Sequence, residues 1–194
     1  MIKYIDFYFD FISPYSFLAY KKIKTIDNYQ KVNFNYKPIL LGGLHKLGEI
    51  TAPAFNQRKM KNMKNDCELV ARKNKIKFIW NDKFPINTLN LMRGYISINE
   101  KKRQEYFDAC FNSYWKDNLD ISKEENINKI LEACKIEKKK FFEDINNPKI
   151  KEKLKDLTSL AFDNDIFGAP TFVVNKKIFW GQDRLDYALD EYNS

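Results

Sequence analysis

The sequence predicts an α/β fold in which a small mixed sheet, flanked by helices, is interrupted by an all-helical insertion. Strand patterns occur near the beginning and near the end of the 194-residue chain. Between them, residues 55–165 are rich in Lys, Glu, Asn, Leu and Ile, and their apolar positions recur with helical spacing. With 44% hydrophobic and 15% aromatic residues, the chain can bury a sizeable core as one domain, with or without an insertion.

The first elements form a β-α-β unit. Alternating apolar residues indicate a first strand at Ile5, Phe7 and Phe9. Pro14 then suits the first turn of a helix, because the N–H that proline lacks would have no partner there. Alternation returns at Val32, Phe34 and Tyr36. Pro38 stops this second strand, which we expect to lie parallel to the first through a right-handed crossover.

The helical stretch that follows is expected to contain about four to six helices, and several of their ends can be predicted. Ser122, with Glu125 three residues later, is typical of a capping box. Asn147 before Pro148 predicts another N-cap, because proline fits the first helical position. The residue before Pro85 is biased away from the helical conformation, so this proline marks a break between helices.

The strand pattern returns at the end of the chain. Residues 170–174 are β-branched and aromatic after an initial proline, which a strand tolerates at its first residue. Residues 175–177 predict a hairpin turn, and residues 178–180 predict its partner strand. Asp183 is placed to cap a last helix over residues 184–191.

The resulting order is β-α-β, a helical block, and then α-β-β-α. This order is typical of a thioredoxin-like domain that is interrupted by a helical subdomain. We therefore assign residues 1–42 and 150–194 to a discontinuous thioredoxin-like domain, and residues 43–149 to the helical insertion.

Composition and charge argue against several classes of partner. The formal net charge of +8 fits either a lysine-rich solvated surface or attraction of small acidic ligands. The lysines are scattered among acids, and the tight run at residues 138–140 fits a solvated helix face, which argues against nucleic-acid binding. No apolar run approaches membrane-spanning length, and a single histidine argues against a zinc site.

The cysteines and the N-terminal residues indicate in which cellular compartment the protein is expected. Cys67, Cys110 and Cys134 form no Cys-x-x-Cys pair and are odd in number, which favours a reducing compartment over a disulfide framework. The first residues already follow a strand pattern and lack the long uncharged stretch of a signal peptide. We therefore expect a soluble, cytoplasmic protein.

Residues 13–16 read Ser-Pro-Tyr-Ser at the strand-to-helix turn, where redox proteins of this layout carry Cys-Pro-x-Cys. Ser13 is either a plain N-cap or a hydroxyl that, with the free N–H groups of the helix, binds the thiolate of a ligand. Ser16 lies one turn further on and is expected to pack in the interior. Two hydroxyls cannot cycle through a disulfide, which argues against a dithiol oxidoreductase.

Four further positions have two interpretations each. The bond between Ala169 and Pro170 is either trans at a strand start or cis, with the Ala169 backbone turned outward. Asp183 caps the last helix, binds the charged end of a ligand, or does both, since the start of a helix in a cleft can serve both roles. His45 is either a partly exposed loop residue or a general base. Lys46 is either one solvated lysine among many or the cation for a carboxylate substrate.

Residues 8–19, Tyr-Phe-Asp-Phe-Ile-Ser-Pro-Tyr-Ser-Phe-Leu-Ala, resemble the opening motif of the 2-hydroxychromene-2-carboxylate isomerases. These enzymes are relatives of kappa-class glutathione transferases and of the DsbA-type disulfide oxidoreductases with a helical insertion. Further similar segments follow in family order at residues 40–43, 84–88, Trp115 with 120–121, 167–171 and 180–184. The resemblance covers nearly the whole chain.

The resemblance implies a glutathione site on the thioredoxin-like domain. The sulfur would lie near Ser13, the catalytic residue, with Pro14 and Tyr15 lining the same turn. Ala169, before a cis proline, would pair its backbone with the cysteinyl part of glutathione. The γ-glutamyl end would be held by Trp180, Gly181, Gln182, Asp183 and Arg184.

The resemblance also implies a substrate side, formed by Lys46, Asn56 and Asn87. The chain departs from the family pattern at two places. Ile50 stands where kappa-like members have an asparagine, and the isomerases place an aromatic residue near Ile86.

The implied function is a glutathione-dependent isomerase for an aromatic enol-carboxylate similar to 2-hydroxychromene-2-carboxylate, in the breakdown of aromatic compounds. It would act by reversible thiolate addition, bond rotation and elimination. Two rival functions are a kappa-like glutathione transferase, which would release the adduct, and a non-catalytic module that binds glutathione or a peptide. The expected partners are the small aromatic carboxylate and a second copy of the chain in a homodimer.

Overall fold

The structure is a computed structural model that describes residues 3–26 and 32–194, and its N-terminal part is a β-α-β unit. Strand β1 (Ile5–Phe9) is followed by helix α1 (Pro14–Ile23) and pairs in parallel with β2 (Phe34–Pro38). The predicted order and the parallel pairing of the two strands are therefore confirmed. Part of the connection from α1 to β2 lies outside the described residues.

A hairpin from the end of the chain completes the sheet. β3 (Thr171–Val174) lies antiparallel to β1, and β4 (Lys177–Trp180) lies antiparallel to β3. Asn175 and Lys176 form the turn with positive φ angles of 51° and 65°, as two-residue hairpin turns require. The strand order is β2-β1-β3-β4, so the predicted mixed sheet and hairpin are confirmed. Lys177, predicted as part of the turn, is instead the first residue of β4.

Helices fill the sequence between β2 and β3. They are α2 (Leu41–Leu47), α3 (Gln57–Lys73), α4 (Leu89–Ser97), α5 (Glu100–Trp115), α6 (Glu124–Ala133), α7 (Lys138–Asn146) and α8 (Pro148–Asp163). Helices α3 to α8 occupy the predicted helical stretch, whose residues are all described, and the expected break between helices falls between α3 and α4. The division into two units at residues 42/43 and 149/150 stays a prediction.

Of the helix caps predicted at Ser122, Asn147 and Asp183, two differ in the structure. Asn147 caps α8 as predicted, since its side chain accepts a hydrogen bond from the backbone N–H of Lys149 at 2.9 Å. Ser122 does not cap α6, because its hydroxyl donates to the carboxylate of Asp120 and the helix begins after Lys123.

The cap predicted at Asp183 is also wrong. A short 3₁₀ turn, Gln182–Arg184, precedes the last helix, α9 (Leu185–Asn193). The N-cap of α9 is therefore Arg184, which makes no side-chain cap. A tight turn between Gly181 and the helix moved the helix start one residue beyond the predicted position.

Aromatic packing joins the sheet to the helical insertion. The ring of Phe9 lies 4.7 Å from that of Phe107 on α5, and the ring of Phe7 stacks on Phe172 of β3 at 5.2 Å. All four side chains are buried. Because aromatic pairs add to the free energy that burial itself supplies, this cluster holds α5 firmly against β1.

The cysteines are free and buried at all three positions. Within the described ranges, 3–26 and 32–194, no helix is both long enough and apolar enough to cross a lipid bilayer.

Candidate functional site

A cavity of about 820 Å³ opens between the turn that joins β1 to α1, helix α2 and the loop before β3. A 3₁₀ turn at Pro53–Phe55 and the loop before α4 contribute further walls. The apolar part of its lining includes Ile12, Leu40, Leu41, Ile50, Phe55, Phe84, Ile86 and Phe167. A concave, mostly apolar site with a few polar groups is the usual form of a small-molecule pocket.

Ser13 lies at the N-terminus of α1 and lines the cavity together with Pro14 and Tyr15. Its hydroxyl oxygen accepts a hydrogen bond from the backbone N–H of Ser16 at 3.1 Å, so the N-cap interpretation is confirmed. The same hydroxyl donates to the carbonyl oxygen of Ala169 at 2.9 Å. The positive end of the α1 dipole therefore faces the cavity beside a hydroxyl that can donate to an anion.

Ser16 and Tyr15, which follow Ser13 in the same turn, differ in their environments. Ser16 is buried, as predicted. The hydroxyl of Tyr15 donates to the carboxylate of Asp66 on α3 at 2.8 Å. Burial raises the pKa of the Tyr15 phenol, and the neighbouring Cys67 and Asp66 raise it further, so the phenol remains a donor at neutral pH.

Ala169 lies two residues before the first residue of β3, Thr171. The peptide bond between Ala169 and Pro170 is cis, the rarer of the two isomers. Ala169 lines the cavity, and its carbonyl oxygen receives the Ser13 hydroxyl. The strand-to-helix turn and the loop before β3 are thus brought together, while the contact of Ala169 with glutathione stays a prediction.

Trp180 is the member of the predicted γ-glutamyl group that reaches the cavity. Its indole is half exposed and lies 4.9 Å from the ring of Phe167. Gly168 allows this position, because a Cβ added there would come within 2.6 Å of the Trp180 Nε1. The two rings form an exposed aromatic edge of the site.

The next four predicted residues do not line the cavity but follow Trp180 directly. Gly181 has a φ of 113°, which favours glycine, and begins the 3₁₀ turn. Gln182 is buried, and both its carbonyl and its side-chain oxygen accept from the Lys22 ammonium, at 3.2 and 3.3 Å. Asp183 and Arg184 are exposed and pair with each other at 3.5 Å.

Helix α2 carries His45, the candidate general base, and Lys46, the candidate cation. Lys46 is exposed and His45 is half-buried, and both line the cavity. His45 is on a helix rather than in the predicted loop. Burial lowers the pKa of His45, so its imidazole is neutral at pH 7.

The two predicted asparagines are separated. Asn87 lines the cavity, and its side-chain oxygen accepts from the backbone N–H of Leu89 at 2.9 Å. Asn56 does not line the cavity; it caps α3 by accepting from the N–H of Lys59 at 3.1 Å. The structure therefore brings Lys46 and Asn87 to the cavity and leaves Asn56 outside it.

Asp10 is a cavity residue that the sequence interpretation missed. Its side chain is fully buried and accepts hydrogen bonds from Thr88, Leu41 and Ile12. Burial raises the pKa of Asp10, and these hydrogen bonds oppose that shift. The sequence did contain a signal for this residue. Asp10 directly follows β1, a strand whose inward positions are all aromatic or aliphatic, and an acid is unusual there.

The fold and the site together define a thioredoxin-like protein with a helical insertion and a hydroxyl where the redox members carry sulfur. Residues 4–193 match the family described as DSBA-like thioredoxin domain. The chain belongs to that family.

Individual relatives make the resemblance more specific. The chain is 27% identical over 194 residues to a 2-hydroxychromene-2-carboxylate isomerase of Sphingobium xenophagum, with 99% of this chain and 98% of the relative covered. It is 25% identical over 201 residues to glutathione S-transferase kappa 1 of Homo sapiens, with 94% and 87% covered. The predicted resemblance is confirmed.

Solved structures agree on the fold. A 2-hydroxychromene-2-carboxylate isomerase superposes with a TM-score of 0.86 at 22% identity, covering 96% of this chain and 92% of that chain. A probable DsbA oxidoreductase of Streptomyces coelicolor superposes with a TM-score of 0.75 at 11% identity, covering 99% and 89%. The predicted thioredoxin-like fold with a helical insertion is confirmed.

Proposed function

We propose that the protein is a glutathione-dependent isomerase that acts on an aromatic enol-carboxylate similar to 2-hydroxychromene-2-carboxylate. The observation that carries the proposal is Ser13, a hydroxyl at the N-terminus of α1 that faces a mostly apolar cavity. The site can stabilise a thiolate but has no thiol of its own at this turn, so the ligand brings the sulfur. The similarity to isomerases and kappa-class transferases supports this assignment.

The residues around Ser13 fit a thiol tripeptide. The backbone groups of Ala169 border the cavity, and the Ser13 hydroxyl that now donates to the Ala169 carbonyl can turn toward a thiolate. Trp180 borders the cavity with an aromatic face. The exposed turn after it, outside the cavity lining, carries a carboxylate at Asp183 and a guanidinium at Arg184 that would meet a zwitterionic end. When bound beside Ser13 and Ala169, glutathione would supply a nucleophilic thiolate for reversible addition to the conjugated substrate and would be regenerated at the end of the cycle.

The chain itself provides the electrostatics of this reaction. The N-terminus of α1 and the Ser13 hydroxyl favour the ionised sulfur. A shift of the thiol pKa from about 9 to about 7 would raise the thiolate fraction at neutral pH about a hundredfold. Lys46 orients the substrate carboxylate and stabilises charge that develops on the substrate, while the apolar walls hold its ring.

The direct test mixes pure protein with reduced glutathione and 2-hydroxychromene-2-carboxylate, and follows the ultraviolet spectrum. We expect conversion that depends on both the protein and glutathione. An unchanged spectrum would reject this substrate. Calorimetry with glutathione alone tests whether the tripeptide binds at all. No heat and no shift in melting temperature would favour a non-catalytic module.

The kappa-class relatives favour a second candidate, a glutathione transferase that releases the adduct. The two reactions share every step up to the fate of the adduct. Mass spectrometry after incubation with glutathione and an electrophilic aromatic compound distinguishes them. A stable conjugate identifies the transferase, whereas an isomer with no mass change identifies the isomerase.

Replacement of Lys46 by alanine is expected to lower kcat/KM for the aromatic carboxylate by about tenfold, because a charge-assisted hydrogen bond contributes about 1.5 kcal/mol. Glutathione binding should change little, because Lys46 lies on α2 and not on the turns around Ser13 and Trp180. Steady-state kinetics and calorimetry measure the two effects. Lys153→Ala, an exposed lysine on α8 away from the cavity, is the matched control. Equal losses in both variants would mean that only net charge matters.

We also propose a reducing compartment such as the cytoplasm and a homodimer. The buried, unpaired state of Cys67, Cys110 and Cys134 supports the first. Size-exclusion chromatography with light scattering tests the second.

A further inference from the structure

The buried carboxylate of Asp10 accepts hydrogen bonds from three separate segments of the cavity wall. Oδ1 accepts from the Thr88 hydroxyl at 2.7 Å and from the backbone N–H of Ile12 at 3.1 Å. Oδ2 accepts from the backbone N–H of Leu41 at 2.8 Å. These donors belong to the turn that carries Ser13, to the start of α2 and to the start of α4.

Both helices lack an ordinary cap at this point. The N-cap residue of α2 is Leu40, which has no capping side chain, so the first N–H of the helix is satisfied by Asp10 instead. The N-cap residue of α4 is Thr88, whose side chain makes no cap to its own helix and donates to Asp10. The Asp10 carboxylate therefore takes the place of a local cap at both helices and connects them to the Ser13 turn.

An ionised carboxylate fits this arrangement, because it accepts on both oxygens and donates on neither. A buried carboxylate is costly, and a buried backbone N–H that loses its acceptor costs free energy as well. An asparagine at this position would turn its NH₂ group toward either the Leu41 or the Ile12 N–H. One backbone donor would then lose its acceptor in either orientation.

We propose that Asp10 is a positioning residue of this site: its carboxylate holds α2, which carries His45 and Lys46, and the start of α4 at a set distance from the Ser13 turn. The consequence for turnover rests on the proposed function. The displacement of reacting groups by about 1 Å can cost about a hundredfold in rate. Two of the three donors belong to α2 and to the start of α4, on the substrate side, and one belongs to the Ser13 turn. None belongs to the loop before β3 or to the turn after β4, so we expect the substrate side to be affected more than the glutathione side.

The test compares wild type with Asp10→Asn. We expect kcat/KM for the aromatic carboxylate to fall at least about tenfold, while the glutathione Kd changes by less than about threefold. Tyr106→Phe is the matched control, because it removes a buried hydroxyl that donates to the Leu91 carbonyl, away from the cavity lining. We expect this control to lower the melting temperature and to keep turnover within about threefold of wild type.

A second readout needs no ligand. Hydrogen exchange by NMR should be at least about tenfold faster at the amide of Leu41 or Ile12 in Asp10→Asn, and unchanged there in Tyr106→Phe. Unchanged exchange at both amides, or unchanged kcat/KM in an enzyme that turns over, would overturn the inference. So would equal losses of turnover and glutathione affinity in both variants. If the wild type binds no glutathione, the proposed function is rejected but the inference about Asp10 is not. Hydrogen exchange would then be the test of that inference.

Discussion

Replacement of Ser13 by alanine is expected to lower both the thiolate signal of bound glutathione and the turnover by about 10- to 100-fold. A hydrogen bond to a charged group contributes about 1.5–3 kcal/mol, which corresponds to about one to two pKa units of the thiol. Glutathione should still bind, because the N-terminus of α1 and the Ala169 backbone remain in place. Titration with glutathione, followed by thiolate absorbance at the far-ultraviolet edge, measures the effect.

Ser13 has a structural role that this experiment must separate from the chemical one. Its hydroxyl caps α1 by accepting from the Ser16 N–H, and loss of a cap costs about 0.5–2 kcal/mol of stability. Ser16→Ala is the matched control, because its buried hydroxyl makes no hydrogen bond within the described part of the chain. We expect Ser16→Ala to keep the thiolate signal. Equal signals in Ser13→Ala and wild type would remove Ser13 from the mechanism.

Replacement of Gly94 by alanine is expected to destabilise the protein by about 3 kcal/mol, the upper end of the range for overpacking. Gly94 is on α4, and an added Cβ would lie 2.4 Å from a ring carbon of Phe141 and 2.6 Å from the hydroxyl of Tyr106. Both side chains are buried, so neither can move aside without displacing its neighbours. The gain of up to about 1 kcal/mol in helix propensity does not offset this clash.

Chemical denaturation measures the free energy of unfolding of Gly94→Ala. Gly42→Ala is the control, because Gly42 is also helical but has open space where the Cβ would be. Its expected effect has the opposite sign, a stabilisation of about 0.5–1 kcal/mol. A stability of Gly94→Ala within about 1 kcal/mol of wild type would mean that α4 shifts easily against α5 and α7.

Patterns carried by neighbouring residues predicted most of the fold. The alternation in β1 follows from the two-residue period of a strand, and the proline at the start of α1 follows from the missing N–H. The hairpin turn at Asn175 and Lys176 depends on which residues accept a positive φ, and all three are local properties. The two incorrect cap predictions, at Ser122 and Asp183, have a local cause in each case. Ser122 donates to Asp120, and the 3₁₀ turn after Gly181 moved the start of α9 beyond Asp183.

The amino-acid order was enough to predict a thioredoxin-like fold with a helical insertion and Ser13 at the start of a helix, because hydrophobic periodicity, turn chemistry and capping depend on residues close together in the sequence. Which residues form the cavity wall could be determined only from the folded structure. It joins residues from positions 10, 41, 88 and 169, and the sequence does not state which of these distant segments meet. Asp10 became recognisable as the connection between them only when packing had removed water and left its carboxylate as their acceptor.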